Sequence, residues 1–144
     1  MRDHRLLKNK LLNLINKDCT DIYARTVLNF GIFTEKFLNS KSLFSNNDHR
    51  SKWNPGQINN WKDSAIDIKK SLNNKIENLA YQYCKSFKIS GLIIGATKTD
   101  HIKISISSIA KRKLKNKEIL MIEKIYKIFE KKLLIKPNYK MKSN

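Results

Sequence analysis

From Asn54 onward the chain keeps apolar residues in helical step: Ile58, Trp61, Ala65, Ile68, Leu72, Ile76, Leu79, Tyr83 and Phe87. Steps of three and four put all of them on one face of an α-helix, a stripe that must be buried. The start is marked as well. In "NPGQ", Asn54 stands at the cap, Pro55 at the first helical position and Gln57 at the third, a variant of the capping box. The spacing predicts one helix of about eight turns, the central packing element of the fold.

The other segments read as follows. Leu7, Leu11 and Leu14, widened by Leu6 and Ile15, predict a short amphipathic helix over residues 4–16. Asp18 or Thr20 then caps a second helix along Tyr23, Val27, Phe30, Phe33 and Phe37, with Gly31 weakening it by about 1 kcal/mol relative to Ala. Residues 39–56 are polar and turn-rich. After Phe87 the period changes: "KISGLIIGA" is a short apolar run, "TKTD" a turn, and Ile102, Ile104 and Ile106 alternate with polar residues. That pattern predicts a β-hairpin over about residues 89–107. Ile119, Ile122, Tyr126, Phe129 and Leu133 restore a helix, which Pro137 stops. The expected fold class is α+β, mostly α: three helices, a hairpin and a C-terminal helix. It forms one domain over residues 1–137, with a basic disordered tail at 138–144. A lone hairpin is marginal in water, and its open edge offers a route to a homodimer.

Charge sets the functional expectation. The net charge is +18, and residues 85–144 hold 16 of the 30 basic residues but only 4 of the 12 acids. The richness in Lys, Asn and Ile inflates lysine throughout, yet the asymmetry still points to a polyanion partner. "IAKRKLKNKE" concentrates Lys111, Arg112, Lys113, Lys115 and Lys117. Lys98 at the hairpin turn, Lys103 on a strand, and Lys124, Lys127 and Lys131 on the last helix extend this into one basic stripe suited to phosphates. With a single arginine here, binding would be to backbone phosphates and strongly salt-dependent. Trp53, beside His49, Arg50 and Lys52, is either a stacking platform or a staple against Ile58. "KRKLKNK" also resembles a nuclear-import run.

Catalytic signatures are sparse. Asp63 and Asp67 share a helix face and could hold a divalent cation, while Lys62, Lys69 and Lys70 offer simpler ion pairing. Asp48–His49 and Asp100–His101 are neighbours in turns, which does not aim both groups at one substrate. There is no Gly-rich phosphate loop, no HExxH and no nucleophile elbow. Cys19 and Cys84 form no CxxC, so neither zinc nor a disulfide framework is expected, and a reducing, cytoplasmic location follows, with nucleus or organelle as alternatives. The longest fully apolar run, residues 91–96, is too short to span a bilayer. The expectation is therefore a non-catalytic RNA-binding protein (DNA the lesser partner) of ribosomal or viral ribonucleoprotein type, with no metal and no cofactor. The alternatives are a matrix-like structural protein lying on an anionic membrane surface and a metal-dependent nuclease using Asp63 and Asp67.

Overall fold

Two helices, not one, carry the long apolar stripe. The computed structural model describes residues 21–41 and 44–135, with side chains through residue 132. The expected helix at 4–16, its successor's cap at Asp18 or Thr20, Cys19 and the tail at 138–144 lie outside the described residues. Within them run β1 (Tyr23–Ala24), α1 (Glu35–Leu38), a 3-10 turn (His49–Lys52), α2 (Pro55–Leu72), α3 (Ile76–Lys85), β2 (Gly91–Leu92), α4 (Thr99–Ala110) and α5 (Asn116–Ile135). Asn54 Oδ1 accepts from Gly56 N at 2.8 Å and caps α2. At the other end Asn73 turns left-handed (φ 43, ψ 51) and separates α2 from α3. Asparagine tolerates that conformation better than other side chains, so a helix can stop on it. The apolar register passes across the break, which is why periodicity alone reads a single helix.

The stretch 23–37 is not a helix either. Thr26, Asn29, Phe30 and Gly31 all have positive φ. Four left-handed residues close together exclude a continuous helix, whatever the spacing of Val27, Phe30 and Phe33. Only Glu35–Leu38 is helical, capped by the Thr34 side chain.

The hairpin at 89–107 is replaced by a strand, a loop and a helix. β2 pairs in parallel with β1, Tyr23 opposite Gly91 and Ala24 opposite Leu92. A Cβ on Gly91 would stand 3.0 Å from the Tyr23 ring, so the close approach of the strands uses the glycine. From Thr99 the chain is helical. Serine decides which side of α4 faces inward: Ser105 and Ser108 are buried (2% and 1% exposed), while Ile102, Ile104 and Ile106 stand out at 46%, 47% and 59%. The Ser108 hydroxyl lies between the Ile104 carbonyl (2.7 Å) and Asn78 Oδ1 (2.9 Å), and Ser105 meets Tyr81 (2.7 Å); Asn78 and Tyr81 are both on α3. Tertiary hydrogen bonds here override the period-two signal of the isoleucines. The hairpin edge expected to pair two copies is therefore not formed.

The core lies chiefly between α2 and α5, which make the most extensive helix–helix contact. Ile58, Trp61, Ala65 and Ile68 of α2 and Ile122, Ile125 and Phe129 of α5 are all under 9% exposed. Two carboxylates tie α1 to α3. Glu77 Oε1 accepts from Glu35 N (2.6 Å), and Glu35 Oε1 accepts from Ile76 N (3.1 Å). Each helix thus supplies the anion that the other's N-terminus attracts.

Candidate active site

The parallel strand pair fixes where a ligand can enter. Chain leaves β1 through Arg25, Thr26 and Val27, and leaves β2 through Ile93, Ile94 and Gly95. Both exits line one cavity of about 830 Å³. In α/β architectures ligands bind outside the carboxyl ends of parallel strands, where helix starts and loops converge.

Further polar groups on its wall include Thr34 and Lys36 at the start of α1, Asp48 and Arg50 at the 3-10 turn, Glu77 and Tyr81 from α3, and His101 and Ser105 from α4. Arg50 is fully engaged. Its Nε donates to Asp48 Oδ1 (2.8 Å), its terminal nitrogens to Asp48 Oδ2 and the Phe30 carbonyl, and its plane lies over Phe44 at 4.1 Å. The Arg50 hydrogen bonds hold the Asp48 carboxyl well below the usual carboxylate range. This latch shapes the wall, fastening the left-handed turn to the 44–50 segment.

The deepest polar feature is a proton chain. The Ser105 hydroxyl donates to the His101 carbonyl (2.8 Å). Its single proton is thereby committed, so the Tyr81 hydroxyl is the donor in the 2.7 Å contact with Ser105. Tyr81 is 2% exposed, and burial pushes its pKa up. Its phenol is therefore a neutral, oriented acid closed off from bulk water. Tyr81 lies off the apolar stripe that runs from Ile58 to Phe87. Its burial comes from α4, whose serines no periodicity marks as an inner face.

Between β2 and α4 the chain lines the cavity through Ile93, Ile94 and Gly95 and again from His101. Space beside Gly95 is open. Lys98 stands at the N-cap of α4 without a side-chain cap hydrogen bond, and Asp100 is the acid of the first turn. Thr97 N and His101 Nδ1 are 3.5 Å apart.

The expected basic stripe is distributed differently. Lys98 and Lys103 belong to the start of α4, not to a hairpin turn and a strand. Lys111, Arg112, Lys113 and Lys115 lie in a connector pinned by α3: Lys85 Nζ donates to the carbonyls of Ile109 (2.6 Å) and Lys111 (2.8 Å), and Gln82 to that of Arg112 (2.9 Å). Arg112 is spent on Glu118 through two bonds (2.8 and 2.6 Å), and with the Lys115 N–H it lowers that carboxyl to about 2. Lys117, Lys124, Lys127 and Lys131 are exposed on α5. Trp53 is half-buried, edge-on to Phe30, His49 and Trp61 at 5.1, 5.6 and 5.8 Å. Asp63 and Asp67 are exposed, and among the described residues no group of three or more His, Cys, Asp and Glu could hold a metal ion. No helix among them is long and apolar enough to cross a membrane.

Comparison with known families matches residues 4–127 to the aldo/keto reductase family. No curated protein and no solved structure matches the chain. The family match overturns the expectation of a non-catalytic RNA-binding protein of ribosomal or viral type, and with it the structural-protein and nuclease readings of the chain's function. The lysine surface is the conspicuous feature of the sequence, whereas the cavity is built from residues with no motif spacing. Residues 4–127 being most of its length, the chain belongs to the aldo/keto reductase family.

Proposed function

We propose that the protein is an oxidoreductase interconverting an aldehyde or ketone with its alcohol, and that the carbonyl compound binds in the cavity at the carboxyl ends of β1 and β2. Family membership supplies the reaction class. The observation that supports the location is the convergence of both strand exits on a cavity whose floor holds the Tyr81–Ser105 chain.

Reducing a carbonyl adds a hydride to carbon and a proton to oxygen. A nicotinamide dinucleotide, when bound, supplies the hydride. The start of α4 fits its phosphates: space is open at Gly95, the first turn has no side-chain cap, and Lys98 stands at the N-cap. The parallel β1–β2 pair followed by α4 supports reading this part as a β/α unit of barrel type. Tyr81 carries the proton at its hydroxyl and passes it to the carbonyl oxygen once the O–H turns from Ser105 to the substrate, while Val27, Phe30 and Ile94 give the wall its apolar surface. Asp48 is held by Arg50, and Glu77 accepts from Glu35 N through Oε1 while its buried Oε2 has no hydrogen-bond partner among the described residues.

The test is oxidation of a reduced nicotinamide dinucleotide by the full-length protein with a panel of small aldehydes and ketones. Dinucleotide binding is read separately from the quenching of Trp53 and Trp61. Tyr81→Phe is expected to lower kcat by about 10²- to 10⁴-fold, the usual worth of a positioned acid, with circular dichroism and melting read alongside to separate lost chemistry from a shifted α4. Lys98→Gln is expected to raise KM for the dinucleotide. A folded protein that neither binds a dinucleotide nor turns over any carbonyl refutes the reading.

A further inference from the structure

We propose that the outer face of α5 is a contact surface for an anionic lipid bilayer. The inner face of α5 is fixed by burial of Ile122 (0% exposed), Ile125 (8%) and Phe129 (3%), so the rotation of the helix is set. What it turns outward is unusual. Leu120 is 64% exposed, Met121 41% and Ile128 48%, among exposed Lys117, Lys124, Lys127 and Lys131. No acid breaks this face: Glu118 is held by Arg112 and the Lys115 N–H, and Glu123 and Glu130 are half-buried.

At 100° per residue Lys117, Lys124 and Lys131 run along the middle of the face, with Leu120 on one side and Met121 and Ile128 on the other. The face extends about 21 Å along the helix. Lysine stems can lie on hydrocarbon while their ammonium groups reach headgroup phosphates, and the leucine, methionine and isoleucine enter the acyl boundary. These three side chains separate a bilayer from a nucleic acid as the partner, because apolar chains gain little against phosphate backbones. The surface is a peripheral contact of an oxidoreductase rather than a structural role. None of the described α5 side chains lines the cavity, so the surface is separate from the proposed reaction.

The experiment is co-sedimentation of the full-length protein with mixed phosphatidylcholine–phosphatidylserine vesicles, with pure phosphatidylcholine vesicles, and in parallel its binding to a single-stranded RNA oligonucleotide, all across a salt series. Binding to the mixed vesicles only, weakening with salt, is expected. Each lysine near such a surface is worth roughly fivefold in partition, so K124Q/K131Q should lower binding about 25-fold. L120S/I128S should lower it about tenfold or more, since each change withdraws several methylene groups from the acyl boundary. All four positions are exposed, so circular dichroism and melting should match the parent. Vesicle binding unchanged in L120S/I128S would overturn the proposal, leaving only the general attraction of a basic chain. Tighter binding to the RNA than to vesicles at equal salt, or no vesicle binding, would overturn it as well.

Discussion

Removing the Glu35 carboxylate tests whether α1 and α3 are joined by charge or by packing. Glu35 accepts from Ile76 N at 3.1 Å and pairs with Lys69 Nζ. Burial raises its pKa, but the bonds from Lys69 and Ile76 outweigh this, and the net position is below the ordinary 4.5. The backbone bond to an ionised carboxylate is worth about 1.5–3 kcal/mol. Lys69 is 37% exposed and Glu35 25%, so solvent screening limits the ion pair to about 1 kcal/mol or less. Glu35→Ala should therefore cost about 2–3 kcal/mol at pH 7. The sign with pH follows from the depressed pKa. The contribution is present above 4.5 and is lost as pH falls through the lower folded-state value. Urea unfolding followed by tryptophan fluorescence, at steps from pH 7 to pH 3, reads the gap between wild type and variant. It should narrow on acidification. A gap that stays constant down to pH 3 would refute the reasoning and assign the whole effect to the side chain's packing.

Three further outcomes are expected. Asn73→Ala should cost about 1 kcal/mol in urea unfolding, the penalty of a left-handed conformation, whereas Asn73→Gly should stay within a few tenths. Ile122→Ala, at 0% exposure between α5 and α2, should cost about 2–5 kcal/mol with an unchanged m-value. Gly91→Ala should cost less than about 1 kcal/mol, because the Tyr23 ring that it meets at 3.0 Å is 57% exposed and can swing aside; thermal melting reads this.

What sequence could disclose depended on whether the signal was local. The cap of α2 is written in four residues, Asn54 to Gln57, and it is found there. The break at Asn73 is also local, but "NN" inside an unbroken apolar register carries less weight than the register itself. The β1–β2 pairing joins residues about 68 apart through two short strands, and strands of two residues leave no period to detect. The cavity was less legible still. Tyr81, His101 and Ser105 meet only after α4 docks on α3, and the docking surface is hydroxyl and amide rather than hydrocarbon. The lysine cluster, by contrast, is conspicuous in one dimension and in the fold serves as a connector and an outer helix face.

α4 is a helix mounted inside out, with serines inward and isoleucines outward. Its local pattern and its tertiary placement disagree, which makes it a frustrated element in an otherwise consistent chain. A roll of the helix about its own axis would trade buried hydroxyls for buried hydrocarbon. Directional bonds to Tyr81 and Asn78, with Lys85 on the Ile109 carbonyl, help select the observed orientation. Ser105 and Ser108 act as its rotational index, and the same index aims the proton-bearing tyrosine. One wall of the cavity thus leans on hydroxyl groups that hold a helix against its own hydrophobic preference.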